Sequence, residues 1–532
     1  MNRMLLDCTL RDGGYVNDWE FGHDKITEIF ERLVSAQIDI IEVGFLDERR
    51  KFDINRTIMP DTKSVNKVFE GLEKGNSLVV AMIDYGTCSI ENIQPCEETF
   101  LDGIRVIFKE PLMYEALEFC QKLKNLGYKV FSQMVSVTTY TDERLKEYAN
   151  LVNSVKPYAN SMVDTYGLLH HRQLMHIFNV LDQHLASDII IGFHAHNNFQ
   201  LGYANCIEYL ETGVQRTIVA DGTLYGMGKS AGNAPLELLA MYMNENFNTN
   251  YDICQILEAI ENTIMDIYHK QYWGYNSFFY IAASTKCHPN YVSFLMDKKT
   301  LSVKQITNIL NTITDDKRLM YDAKYAEKLY LEYQNIVCDD TEAIALLKAA
   351  FKGKTILLIG PGNNIKRQKN KVKKFIEENK PIVISVNYAP KDIKIDYVFL
   401  TKSKRYTQLL SDLKNSVNEN SAIIATSNVT KTAGDFKYVL NYGSLIDKNT
   451  EIIDNSLVML LKAMIEVKVG QVFLAGFDGY SKRNDNYFDV SREYSYAKEK
   501  ASYLNKYVID FLTNVNNKIH VDFITKSYYA SF

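Results

Sequence analysis

Two short segments far apart in the chain carry residue types that together could hold a divalent metal ion. Arg11-Asp12-Gly13-Gly14 follows the first apolar run, and His194-Ala195-His196 closes a later one. Alternate residues of a strand point to the same side, so His194 and His196 can both face one interior and meet the carboxylate of Asp12. Two imidazoles and one carboxylate, with positions left for substrate oxygens, predict a catalytic metal site rather than a closed structural one.

Short β-rich runs that alternate with amphipathic helical stretches must position these residues. The eight predicted strands are Met4–Leu10, Ile38–Phe45, Leu78–Asp84, Gly103–Phe108, Lys129–Val135, Asn160–Asp164, Ile189–His194 and Gln215–Ala220. This alternation, over about the length that the fold needs, predicts a (β/α)8 TIM barrel. Active sites of this fold lie at the carboxyl ends of the strands, where several of these runs end in polar residues.

The length of 532 residues and the 46% of apolar residues predict more than one domain. We assign residues 1–250 to the TIM barrel, residues 251–350 to a helical extension, and residues 351–532 to a second, Rossmann-like α/β domain. The extension either caps the barrel or makes a subunit contact, and its helical pattern does not choose between these roles. We expect a homo-oligomer.

A glycine turn opens the second domain. Gly360-Pro361-Gly362-Asn363 directly follows an apolar strand, which puts flexible backbone at a helix amino terminus and suits a phosphate. Gly360, Gly362 and Asn363 are therefore predicted to bind a nucleotide or a diphosphate. The turn lacks the full Gly-x-Gly-x-x-Gly pattern and the Gly-Lys-Ser/Thr of an NTPase loop. A degenerate domain used for assembly is the alternative.

Charge and cysteine content favour small-molecule chemistry in the cytoplasm. The 60 basic and 65 acidic residues leave a net charge of -5, which gives no general attraction for nucleic acid or for acidic membranes. The eight cysteines form no Cys-x-x-Cys pair, as expected for reduced thiols. No signal peptide and no membrane-spanning run is predicted, so we expect a cytoplasmic protein that binds neither nucleic acid nor membrane.

Five motifs in this order resemble the DRE-TIM metallolyase superfamily, which includes 4-hydroxy-2-oxovalerate aldolase, hydroxymethylglutaryl-CoA lyase, isopropylmalate synthase and homocitrate synthase. The motifs are Asp7-Cys8-Thr9-Leu10-Arg11-Asp12-Gly13-Gly14, Glu42-Val43-Gly44-Phe45, Asp164-Thr165-Tyr166-Gly167, His194-Ala195-His196-Asn197 and Gly226-Met227-Gly228-Lys229-Ser230-Ala231-Gly232-Asn233. The resemblance covers about half of the chain and implies the TIM-barrel fold and a divalent metal ion.

The resemblance also implies roles for individual residues. Asp12, His194 and His196 would bind the ion, which we expect to be Mn²⁺, with Mg²⁺, Co²⁺ and Zn²⁺ as alternatives. Asn233 is either a further ligand or the cap of the helix that follows it. A 2-oxo acid chelates such an ion and the ion stabilises its enolate, while the permanently charged Arg11 can donate several hydrogen bonds to the same oxygens.

Four further residues are assigned to the predicted site. Glu42, Asp164 and Thr165 are predicted to bind substrate or to orient a ligand histidine or the arginine, and a purely structural role is open for Glu42 and Thr165. His288, in the helical extension, is either a catalytic residue that reaches back to the site or a hydrogen-bonded turn residue.

Tyr15 marks a departure from the family pattern. Aldolases of this superfamily place an acid/base histidine two residues beyond the Asp-Gly pair, and this chain has Tyr15 there. A phenol donates a proton or a hydrogen bond but is a poor base at neutral pH. Tyr15 is therefore predicted to polarise the aldehyde-derived oxygen, and an aromatic ring packed over the barrel mouth is the alternative.

These observations predict a metal-dependent carbon-carbon lyase of the class II aldolase type, which acts on a 2-oxo acid such as pyruvate and an aldehyde. The alternatives are a Claisen-type acyltransferase that condenses acetyl-CoA with a 2-oxo acid, and an inactive scaffold that binds a sugar nucleotide. Residues 351–532 resemble Rossmann-like domains of bacterial surface-polysaccharide enzymes. This likeness implies a sugar nucleotide as partner and a role in surface-glycan precursor metabolism.

Overall fold

The computed structural model describes residues 3–298, 301, 303–334, 338–413, 417–429, 436–447, 450, 452–489 and 495–531. The chain divides into two compact units. The first consists of Met1–Ser293 with Ile313–Tyr321, and the second consists of Phe294–Thr312 with Asp322–Phe532. Each unit contains one parallel sheet.

The first unit is a closed barrel of eight parallel strands with one short extra strand. The strands are β1 Arg3–Asp7, β2 Ile40–Leu46, β3 Ile58–Met59, β4 Leu78–Asp84, β5 Gly103–Phe108, β6 Lys129–Met134, β7 Ala159–Asp164, β8 Ile190–Ala195 and β9 Ile218–Gly222. Their order is β1-β9-β8-β7-β6-β5-β4-β2-β3, and a further pairing of β1 with β2 closes the barrel. The predicted TIM barrel is confirmed.

The burial of the barrel strands explains why most of their residues are apolar. Every residue of β2, β7 and β8 is buried, as expected for parallel strands covered on both faces. The surrounding helices are amphipathic. Helix His23–Ser35, for example, buries Ile26, Ile29, Phe30 and Leu33 and leaves its other face polar.

Strand β1 ends earlier than predicted. The apolar run reaches Leu10, but the carboxylate of Asp7 accepts hydrogen bonds from the backbone N–H (2.9 Å) and the hydroxyl (2.7 Å) of Thr9. This local bonding competes with the ladder, and the chain turns into one π-helical turn over Thr9–Gly13. Arg11 and Asp12 therefore lie on this turn, directly beyond the carboxyl end of β1.

Helices connect the strands, and further helices make up the part of the sequence between the last strand of the first sheet and the first strand of the second. In residues 1–351 the α-helices are Gly14–Asn17, His23–Ser35, Thr62–Val68, Met113–Asn125, Asp142–Val155, His171–His184, Gly202–Leu210, Leu236–Phe247, Ile253–Ala259, Met265–Tyr268, Ser277–Ser284, Pro289–Asp297, Val303–Asn311, Asp315–Arg318, Ala323–Gln334 and Thr341–Phe351. A second π-helical turn covers Ile260–Ile264. Where the structure describes residues 251–350, they are mainly helical with short turns and irregular segments between the helices, and the helices are shared between the two compact units.

The second unit contains a seven-stranded parallel sheet. Its strands are β10 Ile356–Ile359, β11 Ile382–Val386, β12 Tyr397–Leu400, β13 Ala422–Thr426, β14 Tyr438–Leu440, β15 Gln471–Ala475 and β16 His520–Phe523, in the order β14-β13-β12-β11-β10-β15-β16. Its later helices are Asn364–Arg367, Lys369–Asn379, Ser403–Leu413, Tyr442–Leu445, Ser456–Glu466, Ser495–Glu499 and Ala501–Val515. The dinucleotide-binding Rossmann order is 3-2-1-4-5-6, which differs from the order found here. A separate parallel α/β sheet is present, and the narrower Rossmann-like class stays a prediction.

Among the described helices, none combines the length and the apolar character that crossing a membrane requires.

The buried Asp7 carboxyl makes the stability of the barrel depend on pH. Burial raises the pKa of Asp7 to about 7, whereas an aspartate in an unfolded chain has a pKa of about 3.9. Between about pH 4 and pH 7 the folded state therefore holds a proton that the unfolded state has lost, and the free energy of unfolding falls as pH rises. We expect the Asp7→Asn variant to gain about 2.5 kcal/mol relative to the wild type between about pH 5 and pH 7.5 in urea unfolding.

Asp315→Asn is the matched control for this experiment, because the Asp315 side chain is fully exposed. Its pH dependence should match that of the wild type. Parallel curves for Asp7→Asn and the wild type would contradict the role assigned to Asp7.

Candidate metal centre

The structure brings Asp12, His194 and His196 together at the carboxyl ends of the barrel strands. One ligand atom of each residue lies within 4.8 Å of the corresponding atoms of the other two. All three residues are buried, with at most 5% of their surface exposed. The cluster that the sequence predicts is thus a geometric fact, while its binding of a metal ion stays a prediction.

The π-helical turn that carries Arg11 and Asp12 is held by hydrogen bonds from three other segments. The indole N–H of Trp19 donates to the carbonyl of Arg11 (2.7 Å), and the hydroxyl of Thr57 donates to the carbonyl of Leu10 (2.6 Å). The backbone N–H of Leu224, beyond β9, donates to the hydroxyl of Thr9 (2.8 Å). These bonds satisfy polar groups that the early end of β1 leaves without ladder partners.

His194 is oriented by a carboxylate on the neighbouring strand. Its Nδ1 lies 3.1 Å from Oδ2 of Asp221 in β9, so this nitrogen carries the proton that the carboxylate accepts. Its Nε2 lies 4.0 Å from Oδ1 of Asp12 and has no hydrogen-bond partner among the described residues. The free electron pair of Nε2 therefore points toward the cluster.

His196 presents a neutral imidazole. Burial lowers its pKa to about 3, and this outweighs the opposite effect of the Asp12 carboxylate. Its buried Nδ1 also has no hydrogen-bond partner in the described part of the chain. Buried polar atoms without partners are costly, and neutral imidazole nitrogens beside a carboxylate are the donors that a divalent cation prefers. The residues therefore fit a divalent ion.

Asp12 remains ionised in this environment. Burial acts to raise its pKa, but the Arg11 guanidinium and the two imidazoles hold the pKa of Asp12 below its usual range. Nη1 of Arg11 lies 2.5 Å from Oδ1 of Asp12, and the backbone N–H of Lys229 donates to Oδ2 (3.1 Å). An ionised carboxylate is the form that binds a metal ion.

Asn233 contacts Asp12 and does not cap a helix. Its amide Nδ2 donates to Oδ2 of Asp12 (2.7 Å), and its Oδ1 is buried without a partner among the described residues. The following helix begins at Leu236, with Pro235 at its N-cap. The helix-cap alternative is therefore wrong, and Asn233 as a ligand stays a prediction.

Arg11 is fixed by Glu42 as well as by Asp12. Nε of Arg11 donates to Oε2 of Glu42 (2.7 Å), and the same oxygen accepts from Nη1 of the buried Arg105 (2.9 Å). Nη2 of Arg105 also contacts Oδ2 of Asp221 (2.5 Å). Glu42 is fully buried and both guanidinium groups bind its carboxylate, so it positions Arg11 rather than lining the cleft.

Asp164 and Thr165 differ in position although they are neighbours. Asp164 is buried, and its carboxylate accepts from the backbone N–H of Leu168 (2.9 Å) and of Leu169 (3.0 Å). It holds the loop after β7 and does not line the cleft. Thr165 does line the cleft, where its hydroxyl accepts from the N–H of Ser136 (2.8 Å).

A cleft opens above this cluster, with an empty volume of about 390 Å³ counted out to solvent. It is lined by Arg11, Asp12, Tyr15, Met82, Ile107, Gln133, Val135, Val163, Thr165, His194, His196 and Lys229. The lining combines charged, polar and apolar side chains, and this combination suits a small anionic molecule.

Tyr15 lies at the rim of this cleft. Its ring packs edge-on against Trp19 (4.9 Å between centroids) and Phe45 (6.2 Å), and 42% of the residue's surface is exposed. Loss of hydration, with a smaller contribution from Asp12, raises the pKa of the Tyr15 phenol above its ordinary value. Tyr15 therefore forms the packed aromatic ring at the barrel mouth, and its role as proton donor stays a prediction.

His288 packs against the loop after β7. Its ring lies 6.4 Å from that of Tyr166 and 6.2 Å from that of Tyr321, and its Nδ1 accepts a hydrogen bond from the N–H of Asn290 (3.2 Å). Burial, followed by the charges of Lys229 and a second lysine, lowers its pKa to about 4. The turn role is thus present, and the catalytic role stays a prediction.

Sequence reasoning missed Lys229 as a site residue. Its Nζ lies 5.1 Å from the ring centre of Tyr15, and burial lowers its pKa. No carboxylate of the described residues lies within ion-pair distance of this ammonium group. A lysine inside the glycine-rich segment Gly226-Met227-Gly228-Lys229 was the signal that could have identified it.

Arg105 and Asp221 were also missed as positioning residues. Arg105 is a charged residue within an otherwise apolar strand, which by itself signals a buried partner. Cys8 does not replace the predicted ligands, although its Sγ lies 3.8 Å from Nδ1 of His194. Burial raises the pKa of the Cys8 thiol well above its ordinary value, so the thiol stays protonated and is a poor metal ligand.

The glycine turn of the second unit does not form the predicted phosphate seat. The N–H groups of Gly360 and Gly362 donate to the carbonyls of Ala475 and Gly476, both at 2.8 Å. The amide of Asn363 donates to the carbonyl of Asp485 (2.7 Å). The following helix, Asn364–Arg367, has its first N–H bonded to Oδ2 of Asp478 (2.7 Å), so a carboxylate already takes the place of an anion.

Comparisons with known proteins concern the first unit. A family model described as HMGL-like matches residues 2–264. The 4-hydroxy-2-oxovalerate aldolase 6 of Rhodococcus jostii is 24% identical over 263 residues, which cover 49% of this chain and 73% of that protein. A 4-hydroxy-2-oxovalerate aldolase of Chloroflexus aggregans is 27% identical over 271 residues, with 49% and 76% coverage. An oxaloacetate decarboxylase of Mycobacterium tuberculosis is 24% identical over 265 residues, again with 49% and 76% coverage.

Metal binding by the cluster can be measured directly. We expect His196→Gln to weaken Mn²⁺ binding to metal-stripped protein by more than about 100-fold in calorimetric titration, because loss of a ligand exceeds the 10–100-fold effect of an outer-sphere change. His171→Gln is the control, since the His171 side chain is about half exposed and lies on an outer helix.

A glycine variant tests the geometry without removing a ligand. A Cβ atom at Gly228 would lie 2.5 Å from Oδ2 of Asp12 and 2.3 Å from Nδ2 of Asn233. Gly228→Ala should therefore also weaken Mn²⁺ binding, whereas Gly213→Ala, whose Cβ meets nothing within 4 Å, should not. Equal affinities for the wild type, His196→Gln and Gly228→Ala would refute the metal centre.

Proposed function

We propose that this protein forms or cleaves a carbon-carbon bond next to a 2-oxo acid such as pyruvate. The chain is a lyase with an HMGL-like domain in residues 2–264. One observation carries the proposal. Two buried histidines and an ionised aspartate converge beside a buried arginine at the catalytic end of a TIM barrel.

Asp12, His194 and His196 would hold a divalent ion, with Mn²⁺ as the first choice and Asn233 as a further ligand. A 2-oxo acid would chelate such an ion through its carboxylate and carbonyl oxygens, and the ion would supply positive charge where negative charge develops on the carbonyl oxygen. Asp221 and Arg105 would keep His194 in the tautomer that leaves Nε2 available.

Arg11 is the residue that we assign to the developing charge. Its guanidinium is held on two sides by Glu42 and Asp12, so its orientation is set before the substrate arrives. Preorganised donors of this kind stabilise a transition state without reorganisation at the moment of reaction. Thr165 would contribute a hydroxyl to the same pocket.

Lys229 supplies a second positive charge to the cleft. The ammonium group has no carboxylate partner among the residues that the structure describes, and it sits over the ring of Tyr15. A partly buried cation without a carboxylate counter-ion favours an anionic ligand. We assign Lys229 to the carboxylate of the substrate or of its reaction partner.

Proton transfer is divided between two residues in this proposal. The phenol of Tyr15 stays protonated and donates a hydrogen bond to the aldehyde-derived oxygen. His288 is neutral at pH 7, and we assign it as the proton acceptor through Nδ1, once the N–H of Asn290 no longer occupies this nitrogen. This division replaces the acid/base histidine that related aldolases carry at the position of Tyr15.

The relatives support this reaction class. A 4-hydroxy-2-oxovalerate aldolase and an oxaloacetate decarboxylase both break a bond next to a 2-oxo acid, and both align with the barrel. No observation on the barrel favours the acyltransferase alternative over the aldolase.

Deuterium exchange into the methyl group of pyruvate, followed by NMR with Mn²⁺, tests the proposal. We expect exchange by the wild type and a fall of about 100-fold or more in Arg11→Gln, as for the loss of a preorganised donor. Arg49→Gln, a change of an exposed arginine paired with Asp47, is the control. Exchange absent from every 2-oxo acid tried would overturn the proposal, and thiol release from acetyl-CoA would favour the acyltransferase.

The role of Tyr15 predicts a split between two activities. Tyr15→Phe should retain methyl exchange, because enolate formation does not need the aldehyde, and should slow aldol cleavage by about 100-fold. Tyr114→Phe is the control, since Tyr114 is exposed on an outer helix. An equal fall in exchange and in cleavage would show that Tyr15 only packs the barrel mouth. His288→Ala with unchanged turnover and retained folding would remove His288 from the mechanism.

A further inference from the structure

The second unit contains a cleft at the carboxyl ends of its parallel strands. Strands β10 and β15 are neighbours in the sheet although four other strands lie between them in the sequence. Connections from these two strands leave in opposite directions, and ligands of open parallel sheets bind at such a point. The cleft has an empty volume of about 960 Å³ counted out to solvent.

Two buried cations line this cleft. Lys402 follows β12 and is 9% exposed, and Arg405 lies one helical turn later and is 5% exposed. The Lys402 ammonium contacts Oδ2 of Asp454, and Nη1 of Arg405 donates to Gln408 (2.9 Å). Two cations held rigidly in one wall form a place for an anionic group, and a phosphoryl group accepts from both.

Two carboxylate oxygens without partners line the same cleft. Asp454 is 3% exposed, and its Oδ1 has no hydrogen-bond partner among the described residues. The same holds for Oδ1 of Asp478, while its Oδ2 accepts from the N–H of Asn364. A buried acceptor without a donor is costly, so a ligand that brings hydroxyl groups would gain hydrogen bonds here.

Asp478 also decides where an anion cannot bind. Its carboxylate occupies the start of helix Asn364–Arg367, beside Gly362, so a phosphoryl group at the glycine turn would meet a like charge. The cations lie on the β12 side of the cleft. The two ends of a ligand therefore have different chemistry. Lys402 offsets the charge of its partner Asp454, so the anion is assigned to Lys402 and Arg405, and the hydroxyl groups are assigned to the side of Asp478, which has no ion pair among the described residues.

Aromatic side chains complete the cleft. Tyr388, Phe477, Tyr480, Tyr487 and Tyr529 line it, together with the amides of asparagine residues. Aromatic faces stack on a sugar ring or a nucleobase, and carboxylates and amides bind sugar hydroxyls. We propose that this cleft binds a sugar that carries a phosphoryl group, either a sugar phosphate or a nucleotide.

This site is independent of the barrel. All of its lining residues belong to the second unit, so failure of the aldolase assay would not contradict the proposed ligand site. It also differs from the seat predicted at Gly360, Gly362 and Asn363, because the phosphoryl group binds side chains and not the glycine turn.

The full chain should be titrated by calorimetry with UDP, GDP, CMP, glucose 1-phosphate and ribose 5-phosphate, with glucose as the uncharged probe. We expect at least one phosphorylated compound to bind and glucose not to bind. Binding of a nucleotide alone would identify the base as part of the ligand. Binding of a sugar phosphate would show that the sugar and the phosphoryl group are sufficient. Hydrogen exchange should show protection by that ligand at residues 386–402, 452–457 and 476–480.

Substitution then tests the cations. Lys402→Gln should weaken binding at least about tenfold, and Lys374→Gln, on an exposed helix face of the same unit, should not. The hydrogen-exchange measurement uses the wild-type protein, so it tests the proposal even if Lys402→Gln fails to fold. No binding of any phosphorylated probe at millimolar concentration, or protection confined to other segments, would overturn the proposal.

Discussion

A continuous line of buried ionic contacts connects the two halves of the metal centre, and the geometry of the barrel site depends on it. In order, its members are Asp12, Arg11, Glu42, Arg105, Asp221 and His194. Each carboxylate lies between cationic or imidazole groups, so no member is a buried charge without a partner. Removal of one member would leave its neighbours unpaired, and such losses cost about 3–5 kcal/mol. The line fixes the ligands and the arginine in one arrangement.

The order of the barrel strands explains how this line forms. Strand β9 lies between β1 and β8, so Asp221 stands between the turn that carries Asp12 and the strand that carries His194. The three carboxylates and two guanidinium groups leave one negative charge when both histidines are neutral. A divalent cation at the cluster would reverse the sign of this buried charge and attract an anionic substrate toward Lys229.

In both units the cleft lies at the carboxyl ends of parallel strands, but the side chains that line the two clefts differ in chemistry. In both sheets the strands are parallel and their carboxyl ends open into a cleft. The barrel cleft holds ionised Asp12 beside two buried imidazoles, which suits a metal ion and a small oxo acid. In the second unit the cations Lys402 and Arg405 are combined with carboxylates and aromatic rings, which suits a larger polar molecule.

The sequence determined a large part of the fold and of the site. Apolar runs and helical patterns predicted all eight barrel strands, and the two-residue spacing of His194 and His196 predicted that both would face one interior. The motifs located Arg11 and Asp12 at the same end. The short strands β14 and β16 were not predicted, because β14 has only three residues and β16 places His520 and Asp522 between apolar residues.

Only the tertiary structure decided which polar groups meet. The contacts of Arg105 with Glu42 and Asp221 join residues 63 and 116 positions apart, which no local pattern encodes. In the same way, the structure shows that the backbone N–H groups of the glycine turn already have partners. Those of Gly360 and Gly362 donate to backbone carbonyls, and the N–H of Asn364 donates to Asp478. Local sequence sets the period and the end of each element. The partners of a buried charge are set by closure of the sheet, because desolvation makes only the paired arrangement stable.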